Sequence, residues 1–129
     1  MRIHLETQAK LYIQNMVKDS KLELVTSYIL DYENSKNRSA QKKQAISKFI
    51  EEYESFFVGV EHNREVEIIS DSIMKTGIKE KDSAHIACAI IAKCEYFITT
   101  DDRLLRYTSD DISIVTPGEF IRKLEVGDI

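Results

Sequence analysis

The sequence predicts an α/β domain of three layers (α/β/α), with helices on both faces of a parallel sheet, and three observations carry that expectation. Short apolar runs alternate along the chain with segments of helical spacing, as parallel strands require, because each crossover between them takes a helix. The 129 residues suffice for one domain, and a hydrophobic fraction of 43% can build a core. Four glycines and one proline are too few for a turn-dense β-sandwich or a linker-rich chain.

At the start of the chain two patterns compete. Met1 to Thr7 alternates like a strand, yet Leu5, Ala9, Tyr12, Ile13 and Met16 recur on one helical face. The second pattern runs unbroken to Val17 and predicts a helix ending at Lys18-Asp19-Ser20-Lys21. Leu22 to Val25 reads as a strand, after which Thr26 or Ser27 caps a short helix through Glu33. A longer amphipathic helix begins near Ser39 and is expected to turn Ala45, Ile46, Phe49, Ile50 and Tyr53 inward. Phe56 to Val60 reads as a strand and Asn63 to Met74 as a helix closed by Gly77. From Asp82 to Cys94 the helical segment is apolar nearly all round, which predicts burial. A strand over Tyr96 to Thr99, a short helix over Asp102 to Tyr107, a strand over Ile112 to Val115 and a helix opened by Pro117-Gly118 complete the chain. A single domain over residues 1–129 is expected, with no internal repeat or linker.

Eighteen basic against 22 acidic residues leave a net charge of −4, which argues against a dedicated polyanion-binding shell. A local basic patch or a metal ion can still hold phosphate on such a protein. No apolar run approaches the ~20 residues of a bilayer span, and no signal-peptide core follows Met1, so a cytoplasmic protein without membrane contact is expected. Cys88 and Cys94 are read as reduced core cysteines.

The acidic residues fall suggestively. Ligands of parallel α/β sheets bind at the carboxyl ends of the strands. Asp101 and Asp102 follow a predicted strand directly, Asp82 opens the apolar helix, and Glu33 lies about two helical turns beyond the first strand. Carboxylates gathered from separate segments repel one another unless a cation lies between them, and hard divalent ions prefer oxygen ligands. That chemistry points to Mg2+ or Mn2+ activating water for phosphodiester cleavage. Each residue also has a plainer role: Asp82 or Asp101 as helix caps, Asp102 as a favourable first-turn charge, and Glu33 as a solvated helix residue. His85, three residues after Asp82, could share a metal or pack beside the site, while Arg103 and Arg106 could meet phosphate.

In order, three stretches resemble the PIN-domain family of metal-dependent ribonucleases, which includes the VapC-type toxins. They are Ser27-Tyr28-Ile29-Leu30-Asp31-Tyr32-Glu33, Asp82-Ser83-Ala84-His85-Ile86-Ala87-Cys88-Ala89 and Tyr96-Phe97-Ile98-Thr99-Thr100-Asp101-Asp102. The closing Ile114-Val115-Thr116-Pro117-Gly118-Glu119-Phe120 looks like the family's last strand and helix. The resemblance implies a ribonuclease cleaving single-stranded or structured RNA, with Glu33, Asp82 and Asp101 catalytic and holding one or two Mg2+ or Mn2+ ions. Asp102 is a further candidate ligand, and Thr99 would position the loop before Asp101. It also implies a homodimer and a cognate antitoxin protein as inhibitor.

At the start the chain departs from the family, whose first strand ends in an Asp-Thr-like pair. Only Leu5-Glu6-Thr7 could imitate that pair. Under the helical reading, the family's first central strand and first aspartate are absent, and the strands that flank them are expected to face a gap with unpaired backbone groups. A degenerate PIN fold that binds a partner without turnover is therefore the alternative to the nuclease. An unrelated metallohydrolase built on Asp82 and His85 is a third possibility.

Overall fold

The computed structural model describes residues 2–127, with side chains from residue 7 onward. It is a mixed α/β structure of seven α-helices and four short strands among the described residues. In order these are α1 (Arg2–Lys18), β1 (Leu24–Ser27), α2 (Tyr28–Ser35), α3 (Ala40–Tyr53), β2 (Glu54–Val58), α4 (Asn63–Met74), α5 (Glu80–Ile91), β3 (Tyr96–Ile98), α6 (Asp102–Leu105), β4 (Ser113–Val115) and α7 (Pro117–Glu125). A single turn of 3₁₀ helix, Val60–His62, precedes α4. No helix among the described residues is long and apolar enough to cross a membrane.

The chain forms two compact units, one of residues 23–94 and one of both chain ends, residues 1–22 and 95–129. In the central unit β1 and β2 pair in parallel, Val25 beside Phe56, Thr26 beside Phe57 and Ser27 beside Val58. The Thr26 hydroxyl, on β1, donates to the Glu54 carboxylate of β2. The core of this unit lies between β1, α4 and α5: Val58, Val66, Ile73, Ile78, Ile86, Ala87, Cys88 and Ala89 are all buried. Gly77 ends the turn after α4 at φ +101°, a conformation that costs a residue without Cβ little.

In the terminal unit β3 and β4 pair in parallel, Phe97 beside Ile114 and Ile98 beside Val115, and the Thr99 N–H extends the ladder to the Val115 carbonyl at 2.9 Å. α1 packs against α7, whose N-cap Thr116 accepts from the Glu119 N–H at 3.1 Å and whose first residue is Pro117. Phe120 of α7 is buried, with its ring edge-on to Tyr96 at 5.3 Å.

The parallel pairing agrees with expectation, but the strands form two separate two-stranded sheets. The helical alternative at the N-terminus is the one formed, and Ala9 and Val17 are buried there. Tyr12, expected on that inward face, is 54% exposed because it lies a quarter turn from the stripe through Ala9, Ile13, Met16 and Val17. The side chains of Leu5 and Glu6 lie outside the described residues. β1 starts two residues later than expected, and the first strand of the second sheet ends at Ile98. A larger correction concerns α3, where the expected inward face is only partly covered: Phe49, Ile50 and Tyr53 are half-buried, Ala45 and Ile46 are exposed, and no residue of this helix is fully buried. Its periodicity correctly announced a helix but not a partner for the apolar side.

Candidate acidic site

Glu33 stands on α2, which begins immediately after β1. The turn from strand to helix is fixed by Ser27, whose hydroxyl accepts from the Leu30 N–H at 3.2 Å. Asn34, the next residue, is buried, and its Nδ2 donates to the Lys43 carbonyl and the Ser47 hydroxyl, each at 3.0 Å. Those two bonds hold α2 against α3 and set the rotation of α2, with Glu33 on the adjoining face. The Asn34 Oδ1 is buried without a hydrogen-bond partner.

Glu33 meets α5. Its Oε2 lies 2.9 Å from Nε2 of His85, a contact between residues 52 apart in the chain. Both side chains are half-buried, at 34% and 20% exposure, so the pair is shielded from water on one side and open on the other. Asp82 sits one helical turn before His85, on the same face of α5. It does not cap that helix: the N-cap position belongs to Lys79, and Asp82 lies within the first turn, where its charge is favourable to the helix dipole. The central unit therefore brings Glu33 to His85 on α5, the helix that also carries Asp82 one turn earlier.

Asp101 and Asp102 belong to the terminal unit. Asp101 follows β3 and caps α6, its Oδ1 accepting from the Arg103 N–H at 2.9 Å, with the Arg103 Nε 3.8 Å away. The Asp101 N–H donates to the Thr99 Oγ1 at 3.1 Å, so Thr99 does shape the loop that presents Asp101. Asp102 is exposed in the first turn of α6.

The donor chemistry suits a hard divalent cation in kind, since four of the five acidic or imidazole groups are carboxylates. In number it falls short: among the described residues no three His, Cys, Asp or Glu side chains are grouped as a metal ion requires. Each unit by itself supplies two of the four carboxylates, Glu33 and Asp82 in one and Asp101 and Asp102 in the other.

The two cysteines lie apart from this chemistry. Burial pushes both thiols above their ordinary pKa, although a hydrogen bond from Ser27 to Cys88 opposes the shift there. Both are free, and Cys88 is buried. The reading of His85 as packed beside the acidic residues anticipates its place near Glu33, but neither residue type nor spacing specified a direct contact between positions so far apart. Asn34 was likewise missed because a polar residue in the run Asn34-Ser35-Lys36-Asn37 reads as a helix stop. Comparison with known protein families, with curated proteins and with solved structures finds no match to this chain.

Proposed function

We propose that this chain is a metal-dependent ribonuclease of PIN type, the toxin of a toxin–antitoxin pair, acting on single-stranded or structured RNA. The observation that carries the proposal is the 2.9 Å contact between Glu33 and His85, which joins the two acidic motifs of the central unit across 52 residues. Asp101, three residues past the end of β3 and with its N–H donating to Thr99 Oγ1, supports it from the other unit. In this reading Glu33, Asp82, Asp101 and Asp102 are the residues that would hold Mg2+ or Mn2+. His85 fixes the Glu33 carboxylate, and Arg103 and Arg106 face the phosphates of the substrate. The metal, when bound, supplies a water acidic enough to attack phosphorus and charge to stabilise the transition state.

A second reading, a PIN-like module that binds a partner without turnover, is favoured by the absence of any three-residue ligand group among the described residues. It is favoured too by the engagement of Glu33 with His85 and of Asp101 with its helix cap. One experiment separates the two: cleavage of labelled single-stranded RNA in manganese by the 129-residue chain and by Asp82→Asn, beside calorimetry of each with manganese. The nuclease requires cleavage that falls at least about a hundredfold in Asp82→Asn, the scale of losing one charged group at a reacting centre. Cleavage that survives the substitution rejects the assigned site. No cleavage and no manganese uptake leave the binding module standing.

A further inference from the structure

We infer that the connection between α2 and α3, together with the first half of α3, is a binding surface for single-stranded RNA, separate from the acidic residues. The choice of RNA rests on the nuclease reading; the surface itself follows from charge and exposure. None of the 22 acidic residues lies between Asn34 and Ile50, the longest acid-free stretch of the chain, and Lys36, Arg38, Lys42, Lys43 and Lys48 all fall within it. All five are exposed, and none forms an ion pair with a described residue. A protein with a net charge of −4 thus gathers a local excess of positive charge on one helix and the connection before it. The placement works against that helix, because the first turn of α3 holds Lys42 and Lys43 and no acidic residue. Cations there oppose the macrodipole and repel one another, and a bound polyanion relieves both costs.

The directions of the cations select the occupant. Lys42, Lys43 and Lys48 stand about 100–140° apart around the α3 axis, and Arg38 lies in the connection before it. A rigid acidic helix meets only one of those directions, whereas a flexible polyanion charged at every unit passes across them. On the α2 side the surface ends in an aromatic ring: Tyr32 is 58% exposed, and the Lys36 ammonium stands 4.9 Å from its centroid. An exposed ring beside unpaired cations suits a single strand of nucleic acid, whose bases stack while its phosphates meet the charges. Tyr32 lies about 160° round α2 from Asn34, which bonds to α3. The strand therefore runs over the end of the helix pair, from Tyr32 and Lys36 past Arg38 to the lysines of α3.

The test is fluorescence anisotropy of a labelled oligouridine of about 15 nucleotides with the whole chain, in EDTA so that no cleavage intervenes, at several salt concentrations. The logarithm of affinity is expected to fall against the logarithm of salt with a slope of about −3, as four to five phosphate contacts require. Lys42→Gln/Lys43→Gln should weaken binding about tenfold and flatten the slope by about 1.4. Tyr32→Ala should weaken it about tenfold at unchanged slope. Lys10→Gln/Lys18→Gln, on α1, should change neither. Glutamine matches lysine in helix propensity, so circular dichroism should not change. A parent that does not bind, parent-like binding by Lys42→Gln/Lys43→Gln, an equal loss in Lys10→Gln/Lys18→Gln, or displacement of the RNA by polyglutamate at equal charge would each overturn the proposal. A parent that binds with this slope yet does not cleave in manganese rejects the nuclease and supports this surface. A cleaving parent whose RNA affinity ignores Lys42 and Lys43 rejects this surface alone.

Discussion

Ser27 lies where β1 becomes α2, and its hydroxyl accepts from the Leu30 N–H at 3.2 Å. Replacing it with alanine removes the cap and leaves the Leu30 N–H unsatisfied beside a buried strand end. Ser27→Ala should therefore cost about 1 kcal/mol, read as a lower urea midpoint at unchanged slope. The thiols make stability fall in alkali. Burial holds the Cys88 and Cys94 protons more tightly in the folded chain than in the unfolded one. Below the ordinary thiol pKa of about 8.5 both states are protonated and the full stability is present. As pH rises beyond it, the unfolded chain releases protons that the folded chain keeps, so stability declines through the folded pKa. Urea midpoints measured from pH 7 to 10 should fall more steeply for the parent than for Cys88→Ala/Cys94→Ala. At this scale the sequence offered Ser27 as a cap because capping is local. It placed His85 beside the acidic residues without specifying its direct bond to Glu33, because only the docking of α2 on α5 creates that contact.

The helices differ in what holds them. α5 is anchored by Ile86, Ala87 and Cys88, all buried, and it packs extensively on α4. Ile86 is fully buried, so Ile86→Ala should destabilise the chain by about 3 kcal/mol, the transfer loss plus the cavity left behind. Equilibrium urea unfolding measures it; a loss below about 1 kcal/mol would mean that α5 is not the centre of this core. α3 has no such anchor and is secured to α2 chiefly by the two bonds from Asn34. Periodicity identified both helices, since spacing depends only on the chain itself. It separated them less well: the nearly uniform apolar composition of α5 forecast burial correctly, whereas the stripe on α3 forecast a cover that this single chain provides only in part. A helical stripe records that an apolar face wants a partner, and the partner can belong to another molecule.

Across the whole molecule, strand direction was readable and strand partnership was not. Helices between successive strands enforce parallel pairing, but strands of three to five residues carry too little pattern to specify which edges meet. The units themselves left a local trace. The chain passes between them after Leu22 and after Cys94, and the two non-glycine residues with positive φ among the described residues, Ser20 and Lys93, both at +59°, stand just before those passages. Each ends a helix in the same way: Lys93 N–H donates to the Ile90 carbonyl and Cys94 N–H to that of Ala89, while Ser20 and Lys21 donate to Val17 and Met16. Glycine is the residue such a left-handed position favours, and a side chain there costs about 1–2 kcal/mol. Part of that gain is offset because glycine loses more freedom on folding. Lys93→Gly and Ser20→Gly should therefore each stabilise the chain by about 0.5–1 kcal/mol, seen as a higher urea midpoint. Ala92→Gly, at the ordinary helical φ of −75°, supplies the opposite sign, because glycine there brings flexibility without relieving strain. Lys93→Gly no more stable than the parent would mean that its left-handed turn does not form in solution, and the helix end before the passage at Cys94 would need a different geometry.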